Sequence, residues 1–332
     1  MANTYEHYGD VNEAYTRLVT KVLKYGQEED SRNGKVISLP APITVEFLNP
    51  KQRVLLNPVR DCNHIFHIME FVWMMAGRND AKWISYFNSN MTSYSNNGAL
   101  FGAYGHRWRK HFHRDQIADV IKLLGRDPKS RQAVINMWDP YVDNPKTKSN
   151  DRPCNTQIMF RIVKGYLDMH VINRSNDLIW GMLGANIVHM TLLHELISIA
   201  VNVRMGSYYV TTNNLHIYPD MPRGDQILKA TDTIVKPNYK SAIITPLISA
   251  GSCVNWQQFL WDCESFCDAD WDGIGFENQW IWKIAKPAHD AYIVRKTKKG
   301  DGIAQIEKMP DNEIWKIGIL EWIQRKELAK QK

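Results

Sequence analysis

Residues 152–177 read RPCNTQIMFRIVKGYLDMHVINRSND. Two apolar-rich runs, 157–163 and 166–172, flank Lys164-Gly165, and a short glycine-containing break between two such runs signals a β-hairpin. Cys154 stands behind Pro153 just ahead of the first strand, where a loop can present it to a cleft. By itself a cysteine is more often a small buried apolar residue. The second strand runs out into Asn173-Arg174-Ser175-Asn176-Asp177, five polar residues that need partners or water before Leu178-Ile179-Trp180. A solvated turn would satisfy them. An anion site would satisfy them more specifically, with the Arg174 fork and the Ser175 hydroxyl on phosphate oxygens. A cationic Arg174 near Cys154 would also lower the thiol pKa and enrich the nucleophilic thiolate.

Outward from this hairpin, residues 12–25 place Ala14, Leu18, Val22 and Leu23 at helical spacing and stop at Gly26. Residues 27–35 read as a polar loop, and 36–47 as one irregular strand carrying Pro40 and Pro42. A second helix is expected over 62–77. Residues 88–105, rich in Gly and Asn, lack periodicity and read as a functional loop. Further strands are expected at 132–138 and 208–212, a core helix within 185–205, and an amphipathic helix over 312–327. The sum is an α+β fold, an antiparallel-rich mixed sheet packed by long helices in a single large domain. Residues 1–221 form its core, 222–300 an insertion or subdomain, and 301–332 a segment whose helix returns to the core.

A chain of 332 residues with 44% hydrophobic and 23% charged residues can bury one large core. The net charge of +6 suits phosphate but falls short of a nucleic-acid-binding stripe. No run of about 18 uncharged apolar residues appears, the best stretch, 185–205, being interrupted by His189, His194, Glu195 and Arg204, so no membrane span is expected; residues 1–10 lack the apolar run of a secretory signal. Five cysteines form no even framework, so a reducing cytoplasm is the expected location. Cys62, His64 and His67 hint at a metal but no fourth ligand is evident nearby, so no metal is expected. Cys263 and Cys267 read as packing residues, and no phosphate-binding loop or dinucleotide fingerprint appears.

The order Pro153-Cys154, Arg174-Ser175-x-Asp177, Gly181, Asn186 at the head of a long helix, and His216-x-Tyr218 resembles the thymidylate synthase and pyrimidine nucleotide hydroxymethylase family. Ser31-Arg32-Asn33-Gly34, Glu70-Phe71-Val72-Trp73 with Gly77, Tyr104-Gly105 with Trp108-Arg109, and Ser130-Arg131 extend the resemblance across residues 10–220. It implies that Cys154 adds to C6 of a pyrimidine nucleoside monophosphate, making C5 nucleophilic toward the one-carbon unit of 5,10-methylenetetrahydrofolate. It implies further that Arg32, Arg174 and Ser175 hold the phosphate, with Asn173 beside them in the substrate set. Arg131 would reach the neighbouring subunit's phosphate, so a homodimer is expected; Gln132 stands where the family often has a second Arg. His216 and Tyr218 would take the sugar hydroxyl, Glu70 and Tyr104 would organise water and proton transfer, and Asp177 would contact the pterin.

Asn186 bears on the base. Uracil presents an N3–H donor and an O4 acceptor, and a side-chain amide complements both; an Asp would be expected for cytosine. The amide can flip, and a plain helix-capping role is the alternative. Departures from the thymidylate synthase pattern bear on the product. Asn155 stands for the usual His and Asn173 for the usual Gln. Residues 180–186 are one residue longer than the family's segment, the wall before Tyr104 has only Trp83, and the chain ends in a polar run, 325–332, instead of an apolar tail. Together they imply a wetter pocket, where water rather than hydride captures the methylene intermediate. The expectation is therefore 5-hydroxymethyl-dUMP from dUMP. The alternatives are dUMP methylation, a dCMP or CMP hydroxymethylase, and a catalytically idle nucleotide- or RNA-binding homologue.

Overall fold

The computed structural model describes residues 3–144, 151–220, 239, 241–249, 255–268 and 275–330. The hairpin that opens the reading forms as expected. β6 (Asn155–Val163) and β7 (Tyr166–Asn173) pair antiparallel with Val163 opposite Tyr166. Lys164 (φ 51°) and Gly165 (φ 80°) make the turn, both in the left-handed region that a tight two-residue hairpin needs. At the open end the register slips between Asn155 and Gln157, so Asn155 faces Asn173. Such a bulge re-aims the side chains beside it, and here it lies one residue from Cys154.

β6 and β7 belong to a six-stranded mixed sheet, in the spatial order β1 (Tyr5–Tyr8), β4 (Ile43–Phe47), β9 (Arg204–Thr212), β7, β6, β5 (Val134–Asn136). A smaller four-stranded sheet runs β2 (Gln27–Ser31), β3 (Gly34–Ser38), β10 (Leu215–Ile217), β8 (Asn176–Asp177). It brings the Arg32-Asn33 hairpin tip, His216 and Asp177 to one side of the molecule, because β10 pairs with both β3 and β8.

Two expectations are corrected here. Residues 27–35 are not a loop: β2 and β3 pair from Gln27 opposite Ser38 to Ser31 opposite Gly34. The polar composition concealed a strand that is exposed at four of its five positions. Residues 36–47 are not one strand either. Pro40 and Pro42 cannot donate to a ladder, so the chain breaks there and β3 and β4 join different sheets.

Helix α1 (Val11–Tyr25) starts on the Asp10 cap, whose carboxylate accepts from Asn12 N and Glu13 N. Helix α2 (His64–Met75) is capped by Asn63 and buries every residue except Glu70. A helix apolar all round belongs in the core, so one incompletely buried carboxyl marks the side that opens to a cavity. The run Leu178–Ala200 is apolar and long enough to cross a membrane by composition, yet 83% of its apolar window is buried inside the molecule. It is the core helix expected at 185–205. Its first part, Leu178–Asn186, is wound as π-helix with non-helical dihedrals at Gly184, and helix α3 (Ile187–Ala200) continues from it. A π turn holds an additional residue without displacing the rest of the helix.

Within 222–278, where periodicity was poor, Trp256–Asp268 forms helix α4, and Phe259 packs on Phe71 of α2 with ring centroids 6.3 Å apart. Most of the remaining stretch lies outside the described residues. The closing helix, α5 (Ile314–Lys330), takes in most of the polar run, where Arg325 and Lys326 pair with Asp61.

One glycine sets the position of Tyr104. A Cβ on Gly105 would fall 1.9 Å from the Met74 carbonyl oxygen, so the short helix Tyr104–His106 touches the α2 backbone only because residue 105 has no side chain. Gly105→Ala is expected to destabilise the fold by about 1–3 kcal/mol through overpacking, read as a lower urea midpoint at unchanged slope.

Candidate active site

The hairpin register places Cys154 next to Arg174. The Arg174 amide donates to the Cys154 carbonyl at 3.0 Å, and its Nη2 lies 3.9 Å from Cys154 Sγ. The guanidinium is held from behind. Nε donates to the Pro153 carbonyl at 3.1 Å, Nη2 donates to the Arg152 carbonyl at 3.2 Å, and the group lies 5.7 Å from the centre of the Trp138 ring. An Arg tied to backbone on one side presents a fixed fork on the other, which suits an oxyanion.

Arg32, Arg174, Ser175, His216 and Tyr218 line one open cleft of about 540 Å³. Arg152, which the sequence did not single out, adds a third guanidinium to the same wall. His216 donates from Nδ1 to Asn214 Oδ1 at 2.8 Å, and its ring meets Tyr218 edge-on at 5.1 Å. Arg32 reaches the cleft from the turn between β2 and β3, the segment mistaken for a loop.

Glu70, Tyr104 and Asn186 line a second, smaller cavity of about 190 Å³, together with Asp151 and His189. Cys154 is half-buried and lines neither space itself. Its neighbours Arg152 and Arg174 line the first, and Asp151 and Tyr104 line the second. The Tyr104 hydroxyl accepts from the Asn155 amide at 3.4 Å, which ties the second cavity to the residue following the thiol.

The electrostatics correct one expectation. Burial pushes the Cys154 thiol above its ordinary pKa, and the Arg174 guanidinium only opposes that. Desolvation of a thiolate outweighs an Arg that spends much of its hydrogen bonding on carbonyls. Glu70 is likewise raised by burial, to about 8, and its Oε2 finds no hydrogen-bond partner among the described residues. Burial also raises the Tyr104 phenol.

Asn186 does not cap its helix: it has helical dihedrals (φ −64°, ψ −40°) and makes no side-chain cap bond. Its Nδ2 donates to Asn176 Oδ1 at 3.3 Å. One N–H and the carbonyl oxygen are then left for a ligand in the cavity. Asp177 spends one oxygen as a cap, accepting from Ile179 N at 2.8 Å and Trp180 N at 3.1 Å. It also lines a third space of about 400 Å³ with Lys35, Tyr94, Trp180 and Tyr218. Trp180 is held there by Arg60, whose guanidinium lies 4.1 Å from the ring centre and donates to the Ile179 carbonyl.

The sequence comparisons speak to this arrangement. The thymidylate synthase family model matches residues 13–242. A deoxyuridylate hydroxymethyltransferase of Pseudomonas phage M6 is 36% identical over 96% of this chain and 93% of its own length. The chain belongs to the thymidylate synthase family. A second family member, the deoxyuridylate hydroxymethyltransferase of Bacillus phage SP01, is 36% identical over 67% of this chain and 60% of its own. The crystal structure of thymidylate synthase from T4 phage shares the thymidylate synthase fold at a TM-score of 0.55. It is 23% identical and covers 67% of this chain and 82% of that one.

Three of the expected family residues are not among those lining these cavities: Asn173, Arg131 and Cys154 itself, whose neighbours line them instead. Asn173 is 3% exposed and turned beneath the nucleophile, where its Oδ1 receives Asn155 Nδ2 at 3.4 Å; it belongs to neither lining. The bulge explains this, since it turns residue 173 inward to face 155. Arg131 is exposed and lies outside both linings. Asn155, which stands where thymidylate synthases carry His, is fully buried and donates to the Ile172 carbonyl at 2.9 Å, so it stitches the bulge together. Arg152, Asp151 and His189 escaped the sequence reading. The only available signal was their spacing: Asp151 and Arg152 sit just before the thiol, and His189 lies one helical turn after Asn186. Among the described residues no three His, Cys, Asp or Glu side chains gather as a metal site.

Proposed function

We propose that the chain transfers a one-carbon unit from 5,10-methylenetetrahydrofolate to C5 of dUMP and lets water complete the reaction, giving 5-hydroxymethyl-dUMP. The observation that carries this is the position of Cys154. Its sulfur stands 3.9 Å from an anchored guanidinium that lines the cationic cleft, and the next residue's amide meets Tyr104, which lines the polar cavity headed by Asn186. The phosphate would lie against Arg32, Arg152, Arg174 and Ser175, the sugar hydroxyl against His216 and Tyr218, and the base would cross the thiol into the smaller cavity. Asn186 then offers its carbonyl oxygen to N3–H and its remaining N–H to O4. The relatives of phages M6 and SP01, both called deoxyuridylate hydroxymethyltransferase, support the same substrate and product.

The third space has the parts for a folate. Trp180, Tyr94 and Tyr218 offer flat apolar faces, Asp177 a carboxyl for pterin N–H groups, and Lys35 a cation for the glutamate tail. When bound there, the folate supplies carbon at the oxidation level of formaldehyde.

The steps on dUMP follow from the residues. Cys154 thiolate adds to C6, and the electron pair moves through C5 onto O4, where the Asn186 amide receives the charge. C5 bonds to the incoming carbon and loses its proton to water, and the C–N bond to the folate breaks with its electron pair leaving on the folate nitrogen, which leaves an exocyclic methylene conjugated to C4=O4. A water oxygen bonds to that methylene, its electrons return to O4, and the water proton passes to Glu70. Collapse of the enolate re-forms C5=C6 and expels the thiolate. Polar groups on the cavity wall keep water at hand, which favours this outcome over hydride delivery.

A homodimer belongs to this reading, with the exposed Arg131 turned to a partner's phosphate, and so does a reducing cytoplasm, where the four described cysteines stay free thiols. Mass spectrometry of dUMP incubated with enzyme and methylenetetrahydrofolate tests the reaction: a gain of CH₂O is expected, and a gain of CH₂ would mean methylation. The base assignment predicts that Asn186→Asp reverses the preference of kcat/KM from dUMP toward dCMP. The change expected in the ratio is about 10²-fold or more, because one hydrogen bond becomes an unpaired buried group and another is gained. An unchanged ratio would remove Asn186 from base recognition.

A further inference from the structure

His189 has no part in the steps above, yet its ring stands 3.4 Å from the carboxyl that takes the proton. It follows Asn186 by three residues, so both project from the same side of the helix start. Its imidazole is 3% exposed. Nε2 lies 3.2 Å from the His67 carbonyl oxygen and 3.4 Å from Glu70 Oε2, the buried oxygen that lacks a hydrogen bond. His67 and Glu70 stand one turn apart on α2, which places both acceptors around the one nitrogen. Burial pushes the His189 pKa down to about 3, with the His67 carbonyl opposing, so the ring is neutral and carries one N–H for the two oxygens. That N–H rests on the carbonyl while Glu70 is protonated. It gains a stronger acceptor once Glu70 is ionised.

Building on the reaction proposed above, we infer that His189 is a positioning residue. Its shared N–H steadies the Glu70 carboxylate at the 190 Å³ cavity, so that the carboxylate orients the water that adds to the C5 methylene and accepts its proton. The titratable groups around Glu70 are His67 from its own helix, His189 from the facing helix, and Tyr104 and Asp151 on the cavity wall. Burial pushes His67 well below its ordinary value, so it too is neutral. Burial raises Tyr104 and Asp151 and thereby favours their neutral forms. No formal cation stands in this group, which leaves the neutral His189 donor as the side chain placed to favour the Glu70 carboxylate. Removing the donor raises the Glu70 pKa further, because a hydrogen bond to the charged form is lost.

The test separates the water step from the one before it. With dUMP tritiated at C5, tritium release counts bond formation at C5, and mass spectrometry counts 5-hydroxymethyl-dUMP. His189→Phe is expected to release tritium within about threefold of the wild type. It should form product about tenfold more slowly or worse, and the acid limb of the product-formation profile should move up by about one pH unit. His189→Gln, which restores a donor, should recover most of both. If the phenylalanine variant fails to fold, His189→Met, flexible and without a donor, carries the same expectation. An unchanged product-to-tritium ratio and pH midpoint in the donor-free variant would overturn the inference, as would equal losses of release and product. Absence of tritium release in the wild type would instead overturn the underlying reaction.

Discussion

Cys154→Ala is expected to lower kcat for 5-hydroxymethyl-dUMP formation by about four orders of magnitude or more, with dUMP binding held within about threefold. The two effects separate because the sulfur and the phosphate clamp are different parts of the site. Without the thiolate, C5 of uracil has no source of electron density and does not attack the one-carbon unit. The clamp keeps its geometry, since Arg174 is tied to the Arg152 and Pro153 carbonyls as well as lying near the sulfur. Single-turnover assays and isothermal titration with dUMP read the two quantities. Product formation by the alanine variant at the wild-type rate would sink the mechanism. A wild-type protein that binds dUMP and never yields product would point to the idle homologue. The raised thiol pKa adds a condition. The thiolate fraction grows with pH, so kcat/KM at neutral pH lies on a rising limb.

Asp143→Ala is expected to destabilise the fold by about 3–5 kcal/mol, the largest single-residue stability effect foreseen for this chain. Arg107 and Asp143 are buried to 0% and 1% exposure, and Nη2 donates to Asp143 Oδ1 at 2.8 Å. The same guanidinium holds the Met137 carbonyl at 2.8 Å and the Phe101 carbonyl at 2.8 Å. Deleting the carboxylate leaves a cation buried with carbonyl partners only, which is the costly case. By comparison, an ion pair on the open surface is worth about 1 kcal/mol or less. Urea unfolding at constant slope reads the difference. Because Phe101 lies between Leu100 and Gly102 in the wall of the smaller cavity and Asp143 lines the cleft, substrate binding should weaken along with stability. A variant within about 1 kcal/mol of the wild type would show that Arg107 finds other compensation.

The hairpin was legible because two apolar runs and a Lys-Gly turn leave little freedom in pairing. A tight turn at Lys164-Gly165 brings residue 154 beside residue 174 whatever else the fold does. The central helices were legible from their apolar content alone. The Arg32 hairpin was not, because its first strand is exposed at four positions and carries no burial signal. The split at Pro40 and Pro42 was partly legible: the prolines warned of a break, but which sheet each half joins depends on distant partners, β10 for one and β9 for the other. Helix α4 was obscured in a segment rich in aromatic residues on several faces.

In the site, residue types were readable and their surroundings were not. The expectation that Arg174 would lower the thiol pKa followed from chain proximity; the opposite net direction follows from burial, which is a property of the assembled core. Asn173 looked like a site residue until the bulge turned it inward. His189 looked like any histidine in an apolar helix until α2 brought Glu70 within 3.4 Å of it.

By itself the sequence determined what depends on near neighbours along the chain: the strand pairing around the nucleophile, the order of the site residues and the family they belong to. Only the tertiary structure decided which side chains share a cavity, how dry each one is and therefore which protonation state it favours. The reason is physical. Hydrogen-bonded pairing and periodic burial are short-range rules written in adjacent residues, whereas desolvation and charge–charge interaction sum over every element that packs around a group.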